Sequence, residues 1–300
     1  MGVRRIVVGV MVVLASVGVI AQFKSDPPKV CSSCDGWNAP REPFRVFGNT
    51  YYVGVAGLSA VLVTSDGGHV LLDAGLPQSA SAVDAHIRAL GFRTQDIRLI
   101  VNSHAHFDHG GGIAAMQRAS GAEVAASPSG ARALEAGEPT PDDPQYAFGR
   151  QSSGFPRVPR VRVVADGEVL HVGAIALTAH FTPGHTPGST TWSWRSCEGT
   201  RCLDVVYADS LNAVSAPGFH FSADATHPSL VESFRRSIAT VAALPCDVLL
   251  SVHPEFSGLD RKIGLRNSGA PGNPFVDPQA CRAYAANASR SLDRRLAEER

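Results

Sequence analysis

The sequence predicts an α+β fold, a four-layered αβ/βα sandwich. Two observations lead there. Short β-rich segments separated by Gly-Asn and Asp-Gly-Gly turns fill the stretch after residue 44, followed by segments with helical spacing. The second half repeats this order of strands followed by helices. Two strand-rich halves, each flanked by helices, bury their apolar faces best as two sheets packed together with helices outside. A third observation places the chemistry. His104-Ala105-His106-Phe107-Asp108-His109 follows a run at 97–102 that reads as a buried strand, so its side chains belong at a strand end between the sheets.

The elements follow in order. Strands are expected at 45–47, 51–54, 59–64 and 69–72, and a helix at 79–90 that Gly91 stops. A strand at 97–102, the histidine turn, a helix at 112–120, a strand at 123–126 and a helix at 128–136 come next. Residues 138–159 are rich in Pro, Gly, Asp and Ser, yet carry Tyr146, Phe148 and Phe155. A loop that long is functional or disordered, and its apolar groups make it a partly ordered wall of the site. Strands at 161–164, 169–171, 175–180, 189–195 and 202–207, a helix at 228–244, a strand at 248–252 and a final helix at 277–299 complete the pattern.

The chain has 300 residues, with 44% hydrophobic and 18% charged content and zero formal net charge. That is a folded globular composition. No basic run or interleaved aromatic pattern points to nucleic acid. Residues 1–21 read as a signal peptide: Arg4 and Arg5 form a positive start, 6–21 are apolar, and cleavage is expected after Ala21. The mature chain would carry 25 basic and 27 acidic residues. It is expected to be periplasmic or secreted, monomeric and without stable membrane association after cleavage, the alternative being that 6–21 is retained as a membrane anchor. Residues 22–43 are expected to be irregular, and 44–300 to form one folded domain. Six cysteines agree with export. Cys197 and Cys202 flank a hairpin tip, whereas Cys31 and Cys34 read as a local disulfide or two loosely ordered thiols.

An isolated histidine is usually structural or solvated. Here three histidines and a carboxylate share one turn. Two more histidines end β-prone runs: His185 in Thr182-Pro183-Gly184-His185-Thr186-Pro187-Gly188, and His253 in Ser251-Val252-His253-Pro254. Strand alternation would throw His104 and His106 to one side. Imidazole and carboxylate without thiolate suit Zn²⁺. So many groups in so tight a turn divide between two ions more readily than they serve one.

These residues resemble the metallo-β-lactamase superfamily, whose His-x-His-x-Asp-His motif stands at 104–109. The stretches Ser103 to Gly112, Thr182 to Trp192, Tyr207 to Leu211, Leu244 to Pro254 and Phe47 to Gly54 resemble its subclass B3. The resemblance implies one zinc held by His104, His106 and His185 and a second held by Asp108, His109 and His253. It also implies a Cys246–Cys281 disulfide, and hydrolysis of the β-lactam amide of penicillins, cephalosporins and carbapenems by a metal-bound hydroxide, conferring antibiotic resistance. Asp108 would orient the attacking water as the catalytic carboxylate, and Ser210 and Asn212 would bind the substrate carboxylate. Asn212 departs from the second serine common in that subclass. The rival reading is a dizinc lactonase or a glyoxalase II-like thioesterase, in which an additional aspartate bridges the metals. Asp209 is close to that place, but is expected to be a strand-end carboxylate with local hydrogen bonds. A non-enzymatic zinc-binding protein has no reason to keep six ligands.

Overall fold

The computed structural model describes Gly2, residues 23–224 and residues 227–300. The expected signal peptide otherwise lies outside the described residues. Among these, no helix is long and apolar enough to cross a membrane.

The chain opens with a short helix, α1 (Cys34–Trp37), then β1 (Phe44–Phe47), β2 (Thr50–Tyr52), β3 (Val61–Val63), β4 (His69–Leu72) and helix α2 (Ser79–Ala89). Strand β5 (Ile97–Val101), α3 (Ile113–Ser120), β6 (Glu123–Ala126), α4 (Pro128–Ala136), α5 (Gly149–Ser153) and the two-residue β7 (Arg162–Val163) finish the first half. The second half holds β8 (Val169–Val172), β9 (Ile175–Phe181), β10 (Thr190–Glu198), β11 (Arg201–Ala208), α6 (Val231–Ala243), β12 (Val248–Ser251), α7 (Leu259–Asn267) and α8 (Ala280–Glu298).

The first sheet runs β1-β2-β3-β4-β5-β6-β7, antiparallel through β4 and parallel beyond it. The second runs β12-β11-β10-β9-β8, with only the β11–β12 pair parallel. Strand alternation builds the layers. Val61, Val63, Val70, Leu72, Leu99 and Val101 face the central core, where they share one cluster with Leu177, Trp192, Val205, Tyr207 and Leu250. The intervening Leu62, Leu71, Ile100 and Val124 face outward against Val83, Ile87, Ile113, Met116 and Leu134. On the other side Val206, Ala208 and Leu249 pack against Phe234, Ile238, Val241, Tyr284 and Leu292. A strand buried on both faces reads as a mostly apolar run, and in Ile97–Val101 only Arg98 is exposed.

Several local expectations are corrected. Within 23–43 the one helical turn is α1, closed by the Cys31–Cys34 disulfide and by Trp37 N–H donating to the Ser33 carbonyl at 2.8 Å. Helix α7 was not legible, because LDRKIGLRN offers few apolar positions and only Leu259 and Lys262 of it are buried. Strand β5 ends at Val101, so strand alternation does not set His104 and His106. They sit in a turn closed by His109 N–H and Gly110 N–H on the His106 carbonyl, at 3.1 and 2.7 Å. Glycine is needed just beyond. A Cβ on Gly111 would lie 2.2 Å from the Phe107 carbonyl oxygen, and one on Gly112 would lie 2.3 Å from that of Ala74. In 138–159, Phe155 is buried in the core, whereas Tyr146 and Phe148 are exposed.

The Cys197–Cys202 bridge closes the β10–β11 hairpin, and Cys246–Cys281 ties the entry of β12 to α8 across 35 residues. Closing a loop of that length stabilises by roughly 2–4 kcal/mol, chiefly through the unfolded chain. Replacing Cys246 and Cys281 by serine should lower the denaturation midpoint accordingly; an unchanged midpoint would show that α8 docks without the tether.

Candidate metal centre

Three segments deliver the ligand-type side chains to one end of the sandwich. The turn after β5 carries His104, His106, Asp108 and His109. His185 follows β9 and His253 follows β12, so both sheets contribute. The His185 loop is braced by Thr186 N–H donating to Ser189 Oγ at 3.1 Å. The His253 turn is braced by Ser251 Oγ–H donating to the His253 carbonyl at 2.6 Å.

Two triads result. Potential ligand atoms of His104, His106 and His185 lie within 4.8 Å of one another. Beside them, Asp108 Oδ2 lies 3.3 Å from His109 Nε2 and 3.5 Å from His253 Nε2, and those two nitrogens are 3.3 Å apart. His104 packs against His109 with ring centroids 4.4 Å apart, so the triads adjoin. The structure thus brings together all six residues named from the sequence, in two groups of three.

Hydrogen bonds outside the triads choose which nitrogen faces inward. His104 Nδ1–H donates to Asp209 Oδ1 at 2.6 Å. His185 Nδ1–H donates to the Asn212 carbonyl at 2.7 Å, and His253 Nδ1–H to the Gly57 carbonyl at 3.2 Å. These three present Nε2 to the site. His106 is reversed: its Nε2–H donates to Asp143 at 3.1 Å, leaving Nδ1 to face inward. Metal-ligating histidines carry this kind of outer acceptor almost without exception. His109 Nδ1 is buried without a partner among the described residues.

The electrostatics agree. Burial holds His185 down to about 3 and lowers His104 well below the ordinary imidazole value. Both are therefore neutral lone-pair donors. Burial works to raise Asp108, but His109 and His253 outweigh it and keep its carboxylate ionised. Burial also works to lower His106 and His109, and the carboxylates of Asp143 and Asp108 reverse it. His104 Nε2 is buried and has no hydrogen-bond partner, though it stands among other imidazoles. An orphaned buried lone pair is costly, and a cation is the group that satisfies it. Nitrogen and oxygen donors without thiolate fit zinc.

A cleft of about 210 Å³ opens over the triads. Ser210 and Asn212 stand in its wall beside His106, Asp108, His185 and His253. Trp37, Phe107, Val214 and Phe256 supply its apolar surface, and Gln145 and Glu255 its remaining polar groups. Trp37 lies 5.4 Å, ring to ring, from His253. Beyond Asn212, Glu255 and Phe256 the surface falls into a second cavity of about 410 Å³. The long 138–159 loop does line the site, through Asp143 and Gln145 rather than through its aromatic residues. Asp143 and Trp37 were missed in the sequence. Each sits in an irregular stretch with no periodicity, and nothing separates Asp143 from the adjacent Asp142.

Comparison with known proteins agrees with this geometry. The chain is 55% identical to the Rm3 metallo-beta-lactamase, covering 90% of this chain and 99% of that one, with a TM-score of 0.87. It is 48% identical to MEM-A1, a subclass B3 metallo-beta-lactamase from a soil metagenome library, covering 88% and 98% with a TM-score of 0.83. A hydroxyacylglutathione hydrolase of Anaeromyxobacter dehalogenans (strain 2CP-C) is 34% identical over 133 residues, which span 44% of this chain and only 40% of that relative. The superfamily model matches residues 53–253, from the strand end at Val53 to the last of the six ligand-type residues, and the chain belongs to the metallo-beta-lactamase superfamily.

Proposed function

We propose that the protein is a dizinc hydrolase that opens the β-lactam ring of penicillins, cephalosporins and carbapenems, acting as an exported subclass B3 enzyme. The observation that carries this reading is the pair of adjoining triads, His104/His106/His185 and Asp108/His109/His253, under a cleft walled by Ser210 and Asn212, in a chain that matches Rm3 over nearly its whole length. His104, His106 and His185 would hold one zinc, and Asp108, His109 and His253 the other. Zinc in such a site polarises a carbonyl and lowers the pKa of water toward ~7, which removes the need for a side-chain nucleophile.

The protein's own groups divide the remaining work. Asp108 has one carboxylate oxygen near His109 and His253, and it lines the cleft, so it can orient water and hold its proton. Ser210 Oγ–H and Asn212 Nδ2–H are neutral donors at the wall, suited to the carboxylate that β-lactams carry. The fixed histidine tautomers spare the site reorganisation during reaction. Phe256, Phe107 and Trp37 restrict water and offer apolar contact to substituents. Removal of residues 1–21 on export would leave the described domain intact.

The glyoxalase II-like reading has one observation in its favour, the local likeness to the hydroxyacylglutathione hydrolase. The geometry of Asp209 weighs against it. Its carboxylate is engaged by His104 Nδ1–H on the outer side of the ring. An aspartate committed there orients a ligand rather than bridging two ions.

Turnover of a chromogenic cephalosporin, a lactone and a glutathione thioester by the purified mature chain tests the function. The cephalosporin and a carbapenem should be hydrolysed, EDTA should abolish the activity, and clavulanate should leave it untouched. Thioester or lactone turnover far above that of the β-lactams would favour the rival.

Elemental analysis without chelators should approach two zinc ions per chain, both in the parent and in Asp209→Asn. A single ion under zinc-replete conditions would reject the dinuclear assignment, and loss of one ion in the variant would make Asp209 a ligand. Ser210→Ala and Asn212→Ala should chiefly raise KM, whereas Asp108→Ala should collapse both kcat and zinc occupancy. Equal kcat losses at unchanged KM in all three would contradict that division.

A further inference from the structure

The loop spanning 138–159 reaches the triads through one side chain. Asp143 is 5% exposed, and its two carboxylate oxygens accept His106 Nε2–H at 3.1 and 3.3 Å. The same carboxylate accepts Gln145 N–H at 2.8 Å, which closes the loop on itself. The next residue, Pro144, gives its carbonyl to Ala216 N–H at 2.9 Å. Ala216 belongs to the loop that begins at Asn212, whose carbonyl accepts His185 Nδ1–H at 2.7 Å. Two mouth loops are therefore each bonded to one histidine of the first triad, and bonded to each other.

We propose that Asp143 is a positioning residue that fixes His106 with Nδ1 facing the metal and couples the order of the 143–145 and 212–216 loops to occupancy of the His104/His106/His185 triad. It rests on the zinc reading above and adds to it a device specific to this loop. A neutral imidazole can present either nitrogen. His106 uses the opposite nitrogen from His104, His185 and His253, so something must reverse it, and the Asp143 carboxylate at Nε2 is the group placed to do so. On the side away from the triads, Lys29 Nζ–H donates to the Gln151 and Gly154 carbonyls at 2.9 and 3.0 Å. The loop's 3₁₀ turn at Tyr146–Phe148 contains no buried residue, and α5 buries only Ser153. Phe155 holds the far end in the core. At the site end the attachment is polar: Asp143 on His106 and Pro144 on Ala216. A metal that immobilises His106 and His185 thereby immobilises both loops, and the loops in turn keep the two rings aimed.

Zinc competition with a chromogenic chelator, read without substrate, tests the proposal on the parent, Asp143→Ala, Asp143→Asn and Phe155→Ala. Asp143→Ala should weaken one of the bound zinc ions about 10- to 100-fold, the usual effect of losing such an outer partner. Asp143→Asn keeps an acceptor oxygen and should recover most of that loss. Phe155→Ala loosens the same loop through its apolar anchor and should lower Tm without the affinity change. Hydrogen exchange at 143–149 and 212–216 should slow on zinc loading in the parent and not in Asp143→Ala. Unchanged zinc affinity in Asp143→Ala, or an equal loss in Phe155→Ala, would overturn the proposal. Nitrogen-15 NMR of the parent's histidine side chains decides the matter independently if Asp143→Ala fails to fold. The Nε2–H tautomer at His106 is expected, and Nδ1–H would overturn it. A chain that binds zinc in this way but leaves β-lactams intact would sink the proposed function and spare this inference.

Discussion

The carboxylate of Asp73 is the point on which the site depends. It sits at the end of β4 in a left-handed conformation, φ 54°, that aspartate tolerates better than most side chains. Four donors converge on it: Asn102 Nδ2–H and Ser103 N–H at 2.8 Å, Ser103 Oγ–H at 2.5 Å and Tyr207 O–H at 2.9 Å. Two donors belong to the residue that immediately precedes His104, and one belongs to β11 of the opposite sheet. Burial pushes Asp73 up to about 6 even though His109 and Ser103 pull it down. Removing the carboxylate would leave several buried donors unpaired, each costing about 1–3 kcal/mol. The metal turn is thus fastened to both sheets before any ligand side chain is placed.

The second sheet answers from its own side. Trp192 Nε1–H donates to the Asn102 carbonyl at 3.1 Å, and Thr190 N–H to the Ser103 carbonyl at 2.8 Å. Residues 102–103 are therefore held on donors and acceptors alike. Further along, Ser59 N–H donates to the Val252 carbonyl and Ser59 Oγ–H to that of Ser251, joining the first sheet to the strand end that carries His253. Sheet packing alone would tolerate small slips between two apolar faces. These polar ties between strand ends remove that freedom where ligands from the two halves must meet within hydrogen-bond range.

What was legible in the sequence follows from the same physics. The parallel strands announced themselves because burial on both faces makes them mostly apolar: Arg98 is the one exposed residue of Ile97–Val101, and Val248–Ser251 is buried throughout. The six ligand-type residues were legible because imidazoles clustered at the ends of such strands have few structural uses. Their outer partners were not legible. The carbonyls of Asn212 and Gly57 carry no side-chain signature, and Asp143 is one of two adjacent aspartates in an aperiodic loop. Asp209 was read as a strand-end carboxylate with local bonds, and its main partner, His104, lies 105 residues away. Helix α7 was missed because its short charged sequence owes its shape to the turn at Gly258, φ 64°, and to Leu259 rather than to an apolar face. Local order supplied by a disulfide, as in α1, leaves no periodicity to read.

The groups that aim the histidines are consequently of two kinds in this molecule, backbone carbonyls and side-chain carboxylates. Each aimed histidine except His109 leans on an acceptor outside the triads, and those acceptors come from the loops at 57, 143 and 212 and the end of β11. Ligand geometry and cleft shape are thus set by overlapping segments: Asn212 accepts His185 Nδ1–H through its carbonyl and also lines the cleft. A substitution at such a position acts on the substrate wall through its side chain and leaves the backbone acceptor in place. Under the proposed function, that separation would let the side chain at 212 change without disturbing the aim of His185. Asp143 and Asp209 have no such freedom, since their side chains themselves are the acceptors. Variation in substrate preference is therefore expected to collect where the backbone holds the metal ligands, and to avoid the carboxylates that do so with their side chains.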